Sequence, residues 1–212
     1  MSINFDEIID RRGTSCLKYD FAVERGYPKD VLPFWVADMD FRVPDPVIDA
    51  LTARAAHGIF GYTQVKDDYF NVLRDWFRTR HAWTVQRDEL VITPGVVFAI
   101  ATAIRAYTAP NEAVIIQQPV YYPFASMIRQ NGRTLIDSPL RFADGHYSID
   151  FADFEQKIID HKVKLFVLCS PHNPVGRVWT RAELEQLAAI CLRHHVIVVA
   201  DEIHEEFVRP GF

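Results

Sequence analysis

Five short apolar runs, each rich in branched residues and most of them leading into a segment of helical periodicity, limit what this chain can fold into. "ELVIT" precedes "GVVFAIATAIRAYT", and "AVIIQQP" precedes "YPFASMIRQNG". "TLIDSPL" leads through a polar stretch to "DFADFEQKIIDH", "KLFVLC" precedes "TRAELEQLAAICLRHH", and "VIVVAD" comes last. Continuous apolar strands separated by helices predict a mainly parallel sheet, buried on both faces and flanked by helices, in an α/β fold. Thr180 with Glu183 three residues later predicts a capping box at the start of the helix after "KLFVLC".

The N-terminal part reads differently. Residues 1–46 contain Pro28, Pro33, Pro44 and Pro46, and proline lacks the backbone donor that a regular element needs, so an irregular arm is expected there. From residue 47 the pattern becomes helical: "DPVIDALTARAAHG" puts Val47, Leu51 and Ala55 on one stripe and stops at Gly58, and "VKDDYFNVLRDWFRTRH" repeats the theme. With 212 residues, 49% of them hydrophobic, the chain has ample material for a packed core.

A formal charge of -5 without runs of like charge leaves no electrostatic footprint for nucleic acid or anionic lipid. No apolar stretch approaches the roughly 20 residues needed to span a bilayer, and acids and arginines occupy the opening segment where a secretory signal needs an apolar core. These features lead to the expectation of a cytoplasmic protein that binds a small neutral or zwitterionic ligand. Cys16, Cys169 and Cys191 are widely spaced and odd in number, which favours buried reduced thiols over a disulfide framework.

In parallel α/β sheets ligands sit beyond the carboxyl ends of the strands, and this selects "TPGVV", "QQPVYYP", "CSPHNPVG" and "ADEIH". Asp201 follows a dry branched run, so its carboxylate needs a cationic partner, a helix N-cap role or a structural ion pair. A metal reading would recruit Glu202, His204, Glu205 and Glu206, but these lack the paired-histidine spacing of a zinc helix. Gly95 ahead of Val96 and Val97 offers either an ordinary turn or free helix-start amides for an anion such as phosphate. Asn173 presents a donor and an acceptor from a loop braced by Pro171 and Pro174. Tyr121 and Tyr122 supply rings that either cover a planar ligand or belong to the core rim.

Taken in order, "LPFWVADMDF", "HGIFGYT", "PVYYPF", "LCSPHNPVGRVWT" and "VADEIHEEF" resemble the fold-type I pyridoxal phosphate enzymes of the aspartate aminotransferase superfamily, and within it the cystathionine beta-lyase or carbon-sulfur lyase branch. The resemblance covers essentially the whole chain. It implies a large domain of the pyridoxal phosphate-dependent transferase type, here incomplete: residues 1–46 would form an arm and part of a small domain, and residues 47–212 the first part of the large one. It implies pyridoxal 5'-phosphate as cofactor, with Asp201 on the pyridine nitrogen, Asn173 near the phenolate oxygen and Tyr121 stacked on the ring. Val96 and Val97 match the amides that hold the phosphate. His204 stands where many relatives carry a tyrosine, and Tyr62 matches a residue that reaches the neighbouring subunit's phosphate in a homodimer.

One departure from the family pattern matters. The family attaches the cofactor through a lysine a few tens of residues beyond the aspartate, and no lysine follows Asp201 here. The expectation is therefore that these residues are part of a longer polypeptide and do not turn over alone, since both the attachment point and the usual base are missing. For the complete protein the resemblance implies beta-elimination from cystathionine or cysteine, giving pyruvate, ammonia and a thiol. Amino-group transfer on the same scaffold is the alternative, and a catalytically dead fragment with a binding or regulatory role is a third reading.

Overall fold

The computed structural model describes residues 4–211. The chain divides into two compact units, Met1–Tyr69 and Phe70–Phe212. Of the expected N-terminal arm, residues 1–3 lie outside the described residues. The rest of the arm has no regular element, in keeping with its prolines.

The first unit is organised by charge. Arg11 donates to Asp40 at 2.7 Å and also pairs with Asp38. Lys18, itself 7% exposed, donates to the Asp38 carbonyl at 2.9 Å and to Asp40 at 3.3 Å. The Tyr19 hydroxyl donates to Asp40 at 3.1 Å, and the Arg11 guanidinium, the first cause, holds the Asp40 carboxyl below its usual range. Helix α1 (Asp45–His57) ends where Gly58 takes a left-handed φ of 74°, as the sequence predicts. Its stripe is not buried, however: Val47 and Leu51 are 46% and 65% exposed, because none of the described residues of this unit packs over them.

Helix α2 (Asp67–His81) carries the chain into the second unit. There α3 (Val96–Tyr107), β1 (Ala113–Ile116), α4 (Pro123–Gln130) and β2 (Thr134–Asp137) alternate, followed by β3 (Arg141–Ala143), β4 (His146–Ser148) and α5 (Phe151–His161). Strand β5 (Leu165–Cys169), α6 (Arg181–Arg193) and β6 (Ile197–Asp201) complete the regular elements. The main sheet is parallel throughout, in the order β2-β1-β5-β6.

Alternation of side chains along a strand explains its two cores. On one face Ile115, Phe166 and Leu168 pack with Phe154 and Ile158 of α5 and Leu187 and Ile190 of α6. On the other, Val114, Ile116, Leu165 and Val167 pack with Ile100 and Ile104 of α3 and Phe124 and Ile128 of α4. Full burial of each such aliphatic or aromatic side chain contributes about 1.5–3 kcal/mol, so the central strands β1 and β5 anchor the unit.

Two expectations need correction, and one element was not anticipated. "ELVIT" is not a strand: after a short 3-10 turn at Arg87–Glu89 the chain runs extended with no partner, leaving Val91 80% exposed. The strands are not all buried on both faces, since β6 lies at the sheet edge and exposes Ile197 and Val198 at 39% and 42%. The polar stretch before α5 holds the antiparallel hairpin β3–β4. No helix of the described residues is long and apolar enough to cross a membrane.

Candidate functional site

Parallel strands deliver their carboxyl ends to one edge, and four of the segments singled out in the sequence lie in the second unit. Asp201 is the last residue of β6 and pairs in register with Cys169, the last residue of β5. Its carbonyl accepts from the Ser170 amide at 3.0 Å, which ties the start of the "SPHNPVG" loop to the end of β6. The carboxylate is 5% exposed, and its Oδ1 accepts from the Ile203 amide at 3.1 Å. Among the described residues no lysine, arginine or histidine forms an ion pair with it. Burial pushes its pKa up, against the opposing pull of the Ile203 amide and of His204.

The loop after β5 begins beside the end of β6. The Asn173 amide donates to Cys169 Sγ at 3.4 Å, and the Gly176 amide donates to the His172 carbonyl at 2.8 Å. His172 and Arg177 form a backbone bridge that closes the loop. Glu183 locks its far end: Arg177 Nη2 donates to both carboxylate oxygens at 2.9 and 2.8 Å, and the same carboxylate accepts from the Thr180 amide at 2.8 Å. Thr180 Oγ1 in turn accepts from the Glu183 amide at 3.2 Å, completing the expected capping box. Burial pushes the Cys169 thiol up to about 11.

Tyr121 lies two residues beyond Pro119 on the loop after β1. Its ring meets Phe124 edge-on at 5.9 Å and Tyr122 at 5.6 Å. Burial raises its pKa first, and the charge of Asp201 adds to the effect, which puts the phenol within electrostatic reach of the carboxylate. Tyr122 is 79% exposed and stands away from the core. Tyr121 and Val96 are both half-buried against the α3/α4 core cluster, and α3 packs on β5 and β6.

At the start of α3, Gly95 has a φ of 143°, a conformation that side-chain-bearing residues rarely adopt. No side chain caps this helix, so its first amides have no side-chain acceptor. Val96 is half-buried and Val97 is 43% exposed. His204 caps a short 3-10 turn, Glu205–Phe207, and with Asn173, His146 and Arg209 lines a cleft of about 480 Å³. Tyr62 belongs to the first unit, where its side chain is fully exposed.

Glu205 and Glu206 face groups of their own. Glu206 Oε1 accepts from Trp76 Nε1 at 2.5 Å and pairs with His81 Nε2 at 3.0 Å. Glu205 lies 3.9 Å from the same imidazole. His81 is a member of this cluster that "DEIHEE" does not contain, because α2 supplies it.

Sequence reasoning missed two residues at this edge. His172 is 2% exposed and sits between the prolines of its loop; Gln117, also 2% exposed, ends the β1 run with both amide atoms buried and unpartnered. A polar residue that directly extends an apolar strand was the available signal for Gln117.

The chain was compared with known proteins. Residues 29–212 match the model of the family described as aminotransferase class I and II. The chain is 45% identical over 209 residues to cystathionine beta-lyase PatB of Bacillus subtilis, covering 99% of this chain and 54% of that protein. Among solved structures, cystalysin from Treponema denticola, which contains a pyridoxal 5'-phosphate cofactor, superposes with a TM-score of 0.91 at 37% identity, covering 100% of this chain and 54% of that one. The pyridoxal phosphate-bound C-S lyase from Staphylococcus hominis gives a TM-score of 0.90 at 34% identity, again covering 100% of this chain and 54% of that one. The chain thus spans about half the length of these relatives. With the parallel sheet, the flanking helices and a family match that covers most of its length, the chain belongs to the class I and II aminotransferase family.

Proposed function

We propose that this chain is the first part of a pyridoxal 5'-phosphate-dependent carbon-sulfur lyase of the cystathionine beta-lyase branch, which splits a sulfur amino acid such as cystathionine or cysteine into pyruvate, ammonia and a thiol. The observation that carries the reading is Asp201, a carboxylate 5% exposed at a strand exit with one backbone donor and no cation among the described residues. Such a group is costly unless something positive or proton-donating completes it, and the ring nitrogen of the cofactor is of that kind. Its relatives' printed names and cofactor point the same way.

When bound, pyridoxal 5'-phosphate supplies an electron-withdrawing heterocycle that takes up the charge left when the substrate's alpha proton departs. The chain's residues divide the remaining work. Asp201 would hold a proton at the ring nitrogen and so keep the ring electron-poor, the Asn173 side chain would donate to the phenolate oxygen, and the Tyr121 ring would shield the cofactor from water. The amides of Val96 and Val97, uncapped at the start of α3, would donate to the phosphate. His204 lines the cleft beside Asn173 and lends a polar edge to the substrate side. No lysine occurs in the loops 93–97, 117–122, 170–176 or 201–207, so a lysine base for the alpha proton is not supplied by these segments.

In the same reading residues 1–46 form an arm and part of a small domain, and residues 47–212 form the first part of the cofactor-binding domain. The protein works as a cytoplasmic homodimer in which Tyr62 reaches the neighbouring subunit's phosphate. Amino-group transfer is the second reading, favoured by the family description itself. The test is to supply cystathionine without any keto acid to the protein isolated from its source. Stoichiometric pyruvate supports elimination, and product that forms only when a keto acid is added overturns it in favour of transfer.

A further inference from the structure

We infer that His172 is a positioning residue: its imidazole fixes the spacing between the loop that presents Asn173 and the loop that presents Tyr121. This rests on the functional reading above, in which those two side chains meet the cofactor.

The geometry around the ring is unusually determinate. His172 Nε2 lies 3.0 Å from the Pro119 carbonyl, which can only accept, so Nε2 carries the proton. Nδ1 is then a bare lone pair, buried without a partner. Burial, the first cause, lowers the histidine's pKa, which keeps this neutral tautomer. The ring meets Trp179 edge-on at 5.3 Å, and Trp179 Nε1 donates to the Cys169 carbonyl at 3.0 Å. The backbone of His172 is held as well, since its amide donates to the Arg177 carbonyl at 2.8 Å.

Position in the chain gives the contact its meaning. His172 immediately precedes Asn173, and Pro119 stands two residues before Tyr121. The hydrogen bond from His172 to Pro119 joins the loop after β1 to the loop after β5, and the Gln117 backbone of the same first loop also acts on the imidazole. Strands β1 and β5 pair lower down, at Val114–Leu165 and Ile115–Phe166, and diverge before their loops begin. A rigid imidazole spanning that divergence sets the distance between amide and phenol rings where the backbone ladder no longer does. Misplacement on the scale of one ångström at such a site costs about a hundredfold in extreme cases, and about tenfold is expected here.

The test compares His172→Phe, which keeps the ring volume and Trp179 contact but donates nothing, with His172→Gln, whose amide nitrogen can reach where Nε2 stands, and His172→Asn, whose shorter side chain cannot. Pyridoxal 5'-phosphate is titrated into the protein as it exists in its source, bearing each substitution, and followed by visible absorption and induced circular dichroism, with urea unfolding alongside. The expected result is binding weakened about tenfold with a diminished dichroic band in His172→Phe and His172→Asn, and restoration by His172→Gln. Wild-type binding and dichroism in His172→Phe, or equal behaviour of the Gln and Asn variants, overturns the inference. If His172→Phe does not fold, the Gln and Asn pair decides. If the wild-type protein isolated from its source takes up no cofactor, the functional reading fails, and backbone amide resonances then decide the positioning role: loss of the Nε2 donor should shift Tyr121 and Asn173 together, and an unmoved Tyr121 overturns it.

Discussion

Replacing Asp201 by asparagine is expected to stabilise the chain without cofactor and to weaken its response to cofactor. The carboxylate is 5% exposed and receives one hydrogen bond, from the Ile203 amide. Asparagine preserves the volume and the Oδ1 acceptor and removes the buried charge, at the cost of two new amide donors at Oδ2's place. A buried group lacking its complement costs about 1–3 kcal/mol, more when charged. Taking about 2 kcal/mol, the midpoint of thermal unfolding rises by roughly 4–8 °C for a chain of this size. The pH dependence has a definite sign. Burial raises the pKa of Asp201 in the folded state, so the folded chain binds this proton more tightly than the unfolded one. Stability associated with that proton is complete below the unfolded carboxylate's range and is lost as pH rises through the folded pKa. The advantage of Asp201→Asn therefore grows from acidic to neutral pH. Urea unfolding of both chains at pH 5 and pH 8, monitored by far-ultraviolet circular dichroism, checks this. Saturating pyridoxal 5'-phosphate should then reverse the order, since a ligand at a hundred times its Kd stabilises by about 2.7 kcal/mol and only the wild type offers the complementary charge. A variant less stable than wild type at pH 8, or one whose advantage does not change with pH, refutes the idea of an unpartnered buried carboxylate.

Two further outcomes follow from the packing. Phe154→Ala removes a ring that is 0% exposed and 4.9 Å from Phe166, and is expected to cost about 3–5 kcal/mol in urea unfolding; a loss below about 1 kcal/mol would mean that this face of the sheet is not a close-packed core. Burial pushes the thiols of Cys169 and Cys191 up to about 11, so at pH 8 they should react with an aromatic disulfide reagent only as fast as the chain opens. A rate for either that is independent of urea below the unfolding transition would contradict their burial.

The sequence disclosed what periodicity and burial control together. β1 and β5 read as strands because each of their residues is apolar, and both lie between two helical layers. "ELVIT" carries the same signal and forms no strand, because a strand needs a neighbour as well as a composition and none pairs with it. The hairpin β3–β4 went unread although its turn is explicit: Asp144 and Gly145 adopt φ values of 51° and 75°, as the two-residue Asp-Gly turn of tight hairpins requires. Asp201 was legible as a polar residue closing an apolar run, but that it is the buried residue of a largely exposed edge strand, with no cation among the described residues, needed coordinates. The contact between His172 and Pro119 was not, since it joins residues 53 apart in sequence and depends on how two loops lean. Val96 and Val97 illustrate the middle case: the glycine before them marked a helix start, while the lack of a side-chain cap needed coordinates.

Glu183 serves two masters, and this has a bearing on the order in which the molecule acquires its shape. The carboxylate that closes the first turn of α6 is the one that grips Arg177, so the helix cannot complete its cap without drawing in the preceding loop. Loop and helix should therefore open and close as one unit, and the amides of Gly176 and Glu183 should exchange their hydrogens with matching free energies. A rigid presentation of Asn173 would then be inherited from the cooperativity of a neighbouring helix.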